Sequence, residues 1–251
     1  MQTVSLCDRV LLEPLPTPVF SLCSDDPLLP ADAEQNNALR AAKRYFEAAG
    51  LPGGVRLGLE RRIPSEAGLG ASSTDAAAVL RGLDGLYGTL SEQALARVAL
   101  SIGADVPFGL AGGLCRCGGV GEALTPLLPG GTFHLILARG EQGVSTGELF
   151  RSLDLSALPH PDTDAAQAAL LSGDAKALAP HVENVLTAAA EALCPEISQT
   201  LSLLRESGAL CASMSGSGSA CFGLYESEDA ARRALPALQE RLSFAALCHT
   251  T

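Results

Sequence analysis

Positive charge is scarce in this sequence: 17 lysines and arginines face 28 aspartates and glutamates, for a net charge of −11. A general nucleic-acid binder neutralises phosphates with Lys and Arg, so the acidic balance argues against that class. A nucleotide substrate is not excluded, because one glycine-rich loop can hold phosphates inside an acidic protein. No apolar run reaches the roughly 18 residues that span a bilayer. The stretch from Met1 to Asp8 lacks the basic and apolar regions of a secretory signal. The eight cysteines are scattered, only Cys115 and Cys117 are close, and no second Cys or His pair stands at zinc spacing. No metal centre is therefore expected, and buried, reduced thiols in a cytoplasmic protein are. The four histidines accompany no Gly-x-Ser-x-Gly motif, so nothing supports a hydrolase triad. There is no internal repeat.

What is present is core and glycine. The 251 residues are 47% hydrophobic and 18% charged, values of a folded chain long enough for one large domain or two modest ones. Glycine numbers 26, where average usage would give about 18.

A strand is predicted over 3–12, and the alternation of Val55, Leu57 and Leu59 predicts another over 55–63. A helix is predicted over 36–49, stopped by Gly50. Ala76, Val79, Leu80, Leu83 and Leu86 form one apolar helical face. Thr89 and Glu92 have capping-box spacing before a further helix, with Gly103 at its end. Val106 precedes a proline and is expected outside the α region, which leaves Asp105 on a bend. Short strands are predicted over 114–117, 122–127 and 133–138. Residues 159–179 read as the loosest segment. A helix from Pro195 to Gly208, strands over 210–214 and 221–225, a helix over 229–242 and a strand over 244–248 suggest an α+β layer of the split βαβ kind.

Three segments could carry chemistry. The first is Pro64-Ser65-Glu66-Ala67-Gly68-Leu69-Gly70-Ala71-Ser72-Ser73-Thr74-Asp75. Two glycines and three hydroxyls precede a helix, whose unpaired N–H groups and positive dipole end attract anions. An ordinary connection with a Ser cap would look similar. No Lys lies in it, so it is not the Gly-x-x-x-x-Gly-Lys loop, nor does it follow the Gly-x-Gly-x-x-Gly pattern. The second is Asp105, a turn former or the carboxylate that phosphoryl transfer needs at an acceptor hydroxyl. The third is Ser215-Gly216-Ser217-Gly218, a tight turn or a glycine-rich surface facing a ligand.

Together these segments resemble the GHMP kinase superfamily. The matching stretches are Met1 to Asp8, Arg62-Ile63-Pro64 through Ala77, Gly103-Ala104-Asp105-Val106-Pro107-Phe108 with Gly112-Gly113, and Met214 to Ser219. The third and fourth narrow the resemblance to the branch whose acceptor is a cytidine-diphosphate-linked methylerythritol. The match runs along essentially the whole chain.

The resemblance implies an α+β, two-domain GHMP kinase fold: a ribosomal protein S5 domain 2-like N-terminal part over 1–140 and a ferredoxin-like C-terminal part over 141–251. It implies ATP-dependent phosphorylation of the acceptor's 2-hydroxyl in non-mevalonate isoprenoid biosynthesis, with Mg²⁺ accompanying ATP. The small-molecule acceptor is the partner, with no nucleic acid and no membrane, in a monomer or homodimer. Asp105 becomes the catalytic base. Pro64, Ser65, Glu66, Ala67, Gly68, Leu69, Gly70, Ala71, Ser72, Ser73 and Thr74 become the ATP loop, with Arg61 preceding it and Asn36 near the nucleotide. Thr146 and Phe150 face the cytidine end, Phe150 as a stacking surface, while Gly216, Ser217 and Gly218 close the site opposite.

Two departures accompany the resemblance. Ala71 and Ser72 stand where relatives carry more glycine. The family's N-terminal Pro-Ala-Lys-x-Asn-Leu strand and Asp-Gly-Tyr-His segment are missing, so Met1 is expected to be internal to a longer chain and the chain as written to be weakly active or inactive. The alternatives are another small-molecule GHMP kinase, acting on a mevalonate, homoserine or sugar-type alcohol, or a catalytically impaired nucleotide-binding relative.

Overall fold

The structure, a computed structural model, describes every residue except 27, 28, 31, 33, 34, 155 and 157. The described chain forms two compact units. The first comprises Met1, Cys7–Ile63 and Gly70–Pro126; the second comprises Gln2–Leu6, Pro64–Leu69 and Leu127–Thr251.

The first unit holds strands β1 (Arg9–Leu15) and β2 (Phe20–Ser24), helix α1 (Asn37–Ala49), strand β3 (Gly54–Glu60), helices α2 (Ala71–Tyr87), α3 (Glu92–Ile102) and α4 (Val106–Ala111), and the hairpin strands β4 (Leu114–Gly118) and β5 (Ala123–Leu127), whose last residue reaches the second unit. β3 is central in its sheet, antiparallel to β1 and parallel to β2. Its Val55, Leu57 and Leu59 are buried, as the alternation predicts. Val55 and Leu57 share a core with α1 and α2, whose Leu39, Tyr45, Leu80 and Leu83 are almost fully enclosed. Each such side chain contributes about 1.5–3 kcal/mol of burial. Gly50 ends α1 in the left-handed conformation (φ +62°), where glycine carries no steric penalty.

The second unit holds β6 (His134–Arg139), helices α5 (Thr146–Ser152), α6 (Thr163–Ser172), α7 (Ala175–Leu178), α8 (Thr187–Leu193) and α9 (Glu196–Glu206), strands β7 (Cys211–Met214) and β8 (Cys221–Tyr225), helix α10 (Glu228–Gln239) and strand β9 (Phe244–His249). The sheet order is β7-β8-β6-β9, antiparallel throughout. That is the strand order of the expected ferredoxin-like layer, with α9 and α10 packed on one core through Ile197, Leu201, Leu204 and Leu238. The second unit's longest run, Leu127–Thr251, includes β6, which pairs with both β8 and β9.

Several local expectations are corrected. Val106 is the first residue of α4 despite preceding Pro107, since proline is tolerated in a helix's first turn. Ser91, not Thr89, caps α3: its hydroxyl accepts from Ala94 N. Gly103 follows α3 in an extended conformation and forms no left-handed cap. The segment 159–179, expected to be loose, contains α6 and α7. Cys7 and Cys23 are exposed, while Cys115, Cys194, Cys221 and Cys248 are buried; all are free thiols. Burial pushes Cys221 and Cys248 up to about 12. No helix among the described residues is long and apolar enough to cross a membrane.

Candidate active site

The glycine-rich loop passes from the second unit to the first between Leu69 and Gly70. Gly70 takes φ +68° and offers no side chain to cap α2. Ala71 and Ser72 lie in ordinary helical backbone, so the departure from glycine leaves them unstrained. Gly70 O accepts from Ser73 N (3.0 Å) and Thr74 N (2.9 Å). The Thr74 hydroxyl turns back onto Gly70 O and Ala71 O. Ser72 is exposed at the helix start.

Two residues expected near the nucleotide make buried contacts within the chain. Asn36 is 5% exposed and caps α1: its Oδ1 accepts from Ala38 N (3.0 Å) and Leu39 N (3.1 Å), while its Nδ2 donates to Pro30 O. Asn is a preferred cap because its carbonyl satisfies orphan helix donors. Arg61 is also turned inward. Its Nη1 is 2.5 Å from Asp75 Oδ2 and 3.2 Å from Asp8 Oδ2, with all three side chains at most 8% exposed. Asp8 Oδ1 also accepts from Arg62 N (2.6 Å) and Ile63 N (2.8 Å). Arg61, the basic residue that precedes the loop, therefore braces its two feet, at Ile63 and Asp75. Asp8 and Asp75 were missed as members of this support. A buried arginine demands carboxylates, but sequence does not say which.

Asp105 is exposed and stands immediately before α4 without a side-chain hydrogen bond to that helix. Gly121 lies beside it: a Cβ there would sit 3.6 Å from Asp105 Oδ1. One turn further on, Gly109 packs against the start of α2, where a Cβ would lie 2.8 Å from the Ala77 Cβ and 3.5 Å from Ser73 O. The helix carrying Asp105 at its head is thus held close to the hydroxyl-bearing first turns of α2.

In the second unit, the loop residues 65–68 meet the late glycine turn. Ser215 Oγ donates to Gly68 O (3.0 Å), and Ala220 N donates to Ala67 O (3.0 Å). A Cβ on Gly68, itself at φ +68°, would fall 2.3 Å from Ser215 O and 2.7 Å from Gly218 N. This contact requires glycine. The Thr146 and Ser217 hydroxyls are 2.8 Å apart. Asn184, which sequence reasoning missed, donates to Met214 O and Gly216 O, both at 2.8 Å, and fixes the turn. Arg139, also missed, donates to Ser65 O (2.7 Å). Phe150 lies on α5 and is 52% exposed. Glu66 is exposed and holds φ +53°, a costly conformation for a residue with a side chain.

Among the described residues, no three His, Cys, Asp or Glu side chains gather as a metal-ligand set.

Residues 36–114 match the GHMP kinases N terminal domain, and residues 166–243 match the GHMP kinases C terminal domain. A 4-diphosphocytidyl-2-C-methyl-D-erythritol kinase of Caldicellulosiruptor saccharolyticus is 36% identical across 95% of this chain and 83% of its own length. The enzyme of the same name from Geobacillus thermodenitrificans is 37% identical, over 93% of this chain and 81% of its own. A crystal structure of 4-(cytidine 5'-diphospho)-2C-methyl-D-erythritol kinase matches with a TM-score of 0.82 at 38% identity, covering 98% of this chain and 87% of that one. The homoserine kinase of Cytophaga hutchinsonii, at 24% identity and a TM-score of 0.78 over 100% of this chain and 88% of its own, shares the fold. With matches of this identity along nearly its whole length, the chain belongs to the GHMP kinase superfamily, in its 4-diphosphocytidyl-2-C-methyl-D-erythritol kinase family.

Proposed function

We propose that this protein transfers the γ-phosphoryl group of ATP to the 2-hydroxyl of 4-diphosphocytidyl-2-C-methyl-D-erythritol. The observation that carries the reading is the meeting of loop residues 65–68 with the turn 215–218, beside the hydroxyl pair Thr146–Ser217. Segments far apart in sequence converge on backbone donors, small residues and hydroxyls, the groups that hold phosphates and a polar acceptor. The likeness to kinases bearing that substrate's name supplies the acceptor.

In this reading the N-terminal part (1–140) binds the nucleotide, and the C-terminal part (141–251) receives the cytidine end. The ATP phosphates lie along the loop 64–74, where the open N-terminus of α2 offers N–H groups and a positive dipole end. Asp105 orients the acceptor hydroxyl and accepts its proton as the bond to phosphorus forms. Its exposure and lack of a cap bond leave the carboxylate available for that contact. Phe150 stacks on the cytosine, and Thr146 with Ser217 fixes the acceptor's polar end. The Ser72 and Ser73 hydroxyls are hard oxygen donors that fit Mg²⁺. Bound with ATP, the ion would neutralise charge on the β- and γ-phosphates.

The test is an acceptor panel on the full natural chain, scored by ADP release. Turnover with the cytidine-linked acceptor and little with mevalonate or homoserine supports the reading. The reverse preference overturns it.

A further inference from the structure

Arg139 ends β6 and is half-buried. Its guanidinium spans two segments. Nη1 donates to Ser65 O at 2.7 Å, Nη2 to Glu141 O at 2.8 Å and Nε to Gly140 O at 3.1 Å. Ser65 belongs to the loop read above as the phosphate loop. Gly140 and Glu141 begin the stretch that leads into α5, which carries Thr146 and Phe150. The two segments also touch directly: a Cβ on Gly143 would lie 3.3 Å from both the Cβ and Oε2 of Glu66. On its other side the stretch is held by Glu196, whose Oε2 accepts from Gln142 N at 3.0 Å.

A guanidinium is suited to this work. Its donors are fixed in a planar fork, so holding one carbonyl group fixes the direction of the others. A lysine ammonium carries the same charge but is a single centre on a flexible stem.

We propose that Arg139 is a positioning residue for phosphoryl transfer, its fork clamping the loop 64–69 to the stretch 140–146 so that the nucleotide and the acceptor are gripped together. This rests on the functional reading above. Glu196 touches only the second stretch and serves as the internal comparison.

The experiment compares Arg139→Gln, Arg139→Lys and Glu196→Gln in the full natural chain, by steady-state kinetics and amide hydrogen exchange. Arg139→Gln is expected to raise KM for ATP and for the acceptor together, each by about tenfold, a loss typical of one charge-assisted bond. Glu196→Gln should raise the acceptor KM alone, and Arg139→Lys should recover only part of the loss. A merely structural role would instead lower the folded fraction, read as a smaller kcat at unchanged KM. In Arg139→Gln, exchange should quicken at 65–68 and 140–143 together. Unchanged KM values, a change in only one of them, or a fully active Arg139→Lys overturns the clamp. If the unsubstituted protein does not phosphorylate the cytidine-linked acceptor, the functional reading fails, and exchange alone decides the clamp: joint quickening supports it and unchanged exchange rejects it.

Discussion

Arg61 and Asp75 form a buried ion pair at 2.5 Å, and Asp8 approaches the same guanidinium at 3.2 Å. One positive charge thus serves two buried carboxylates at the base of the glycine-rich loop. At about pH 8, above the range in which Asp75 holds its proton, removing the cation leaves both acids uncompensated. Arg61→Met should destabilise the fold by about 3–5 kcal/mol, the usual cost of breaking a buried pair from one side. Urea unfolding measures this. A loss under about 1 kcal/mol would place the pair among weak surface contacts.

The same arrangement sets a pH dependence. Burial pushes the Asp75 carboxyl from its ordinary 3.8 up to about 7, against the pull of Arg61 and with a further push from Asp8. Between about pH 4 and pH 7 the native state holds a proton that the unfolded chain has released. This contribution to stability is full below the unfolded value and is lost as pH rises through 7, with a slope of at most about 1.4 kcal/mol per pH unit. Asp75→Asn keeps the shape, leaves Arg61 paired with Asp8 and removes the slope. Relative to the unsubstituted protein it should gain stability as pH rises from about 5 to about 8. A parallel pH profile for the two proteins would contradict this account.

Asp105→Asn preserves the turn before α4 and removes the proton acceptor of the proposed reaction. Turnover should fall at least about 10²-fold, in the range of a lost general base. Nucleotide affinity, measured by calorimetry, should stay within about threefold, because the loop proposed to hold the phosphates is untouched. Turnover near the unsubstituted rate would remove Asp105 from the reaction.

Gly68→Ala places a Cβ against the Ser215 carbonyl and the Gly218 amide, in a backbone conformation that disfavours side chains. The loop must lift from the turn. KM for ATP should rise about tenfold or more, a shift of ~1.4 kcal/mol, whereas Gly70→Ala meets no neighbouring atom and should cost less. Equal KM values for the two variants would show that contact with the turn is immaterial.

Phe150 offers its ring to solvent, so Phe150→Ala should change stability by less than about 0.5 kcal/mol. It should raise the acceptor KM by about tenfold, since stacking on one base is worth ~1–3 kcal/mol. Kinetics at saturating ATP decides this. A large stability loss with unchanged KM would make Phe150 a packing residue.

The parts of this molecule legible in the sequence are those where a local rule and the tertiary environment agree. Helix α1 has its Gly50 stop. The β7–β8 hairpin is bracketed by glycine and serine. The segments that escaped have weak local signals. β2 is a short run in a proline-rich stretch and is strand only because β3 pairs with it in parallel. Helices α6 to α8 are built mainly from alanine and polar residues and show little periodicity. At the site, loop, turn and Asp105 were visible as residue types. The buried contacts of Asn36 and Arg61 were not, because neither a capping amide nor a buried guanidinium names its partners in sequence. Asp8, Arg139 and Asn184 act through partners 50 to 75 or 30 positions away, and no spacing rule reports such contacts.

The most direct test of the central claim is phosphorus NMR of the full natural chain incubated with ATP, Mg²⁺ and 4-diphosphocytidyl-2-C-methyl-D-erythritol. The account predicts a new phosphomonoester resonance that grows as the γ-phosphate of ATP disappears, one for one with ADP, and that depends on Asp105. Release of inorganic phosphate alone, or an unchanged spectrum, would contradict it.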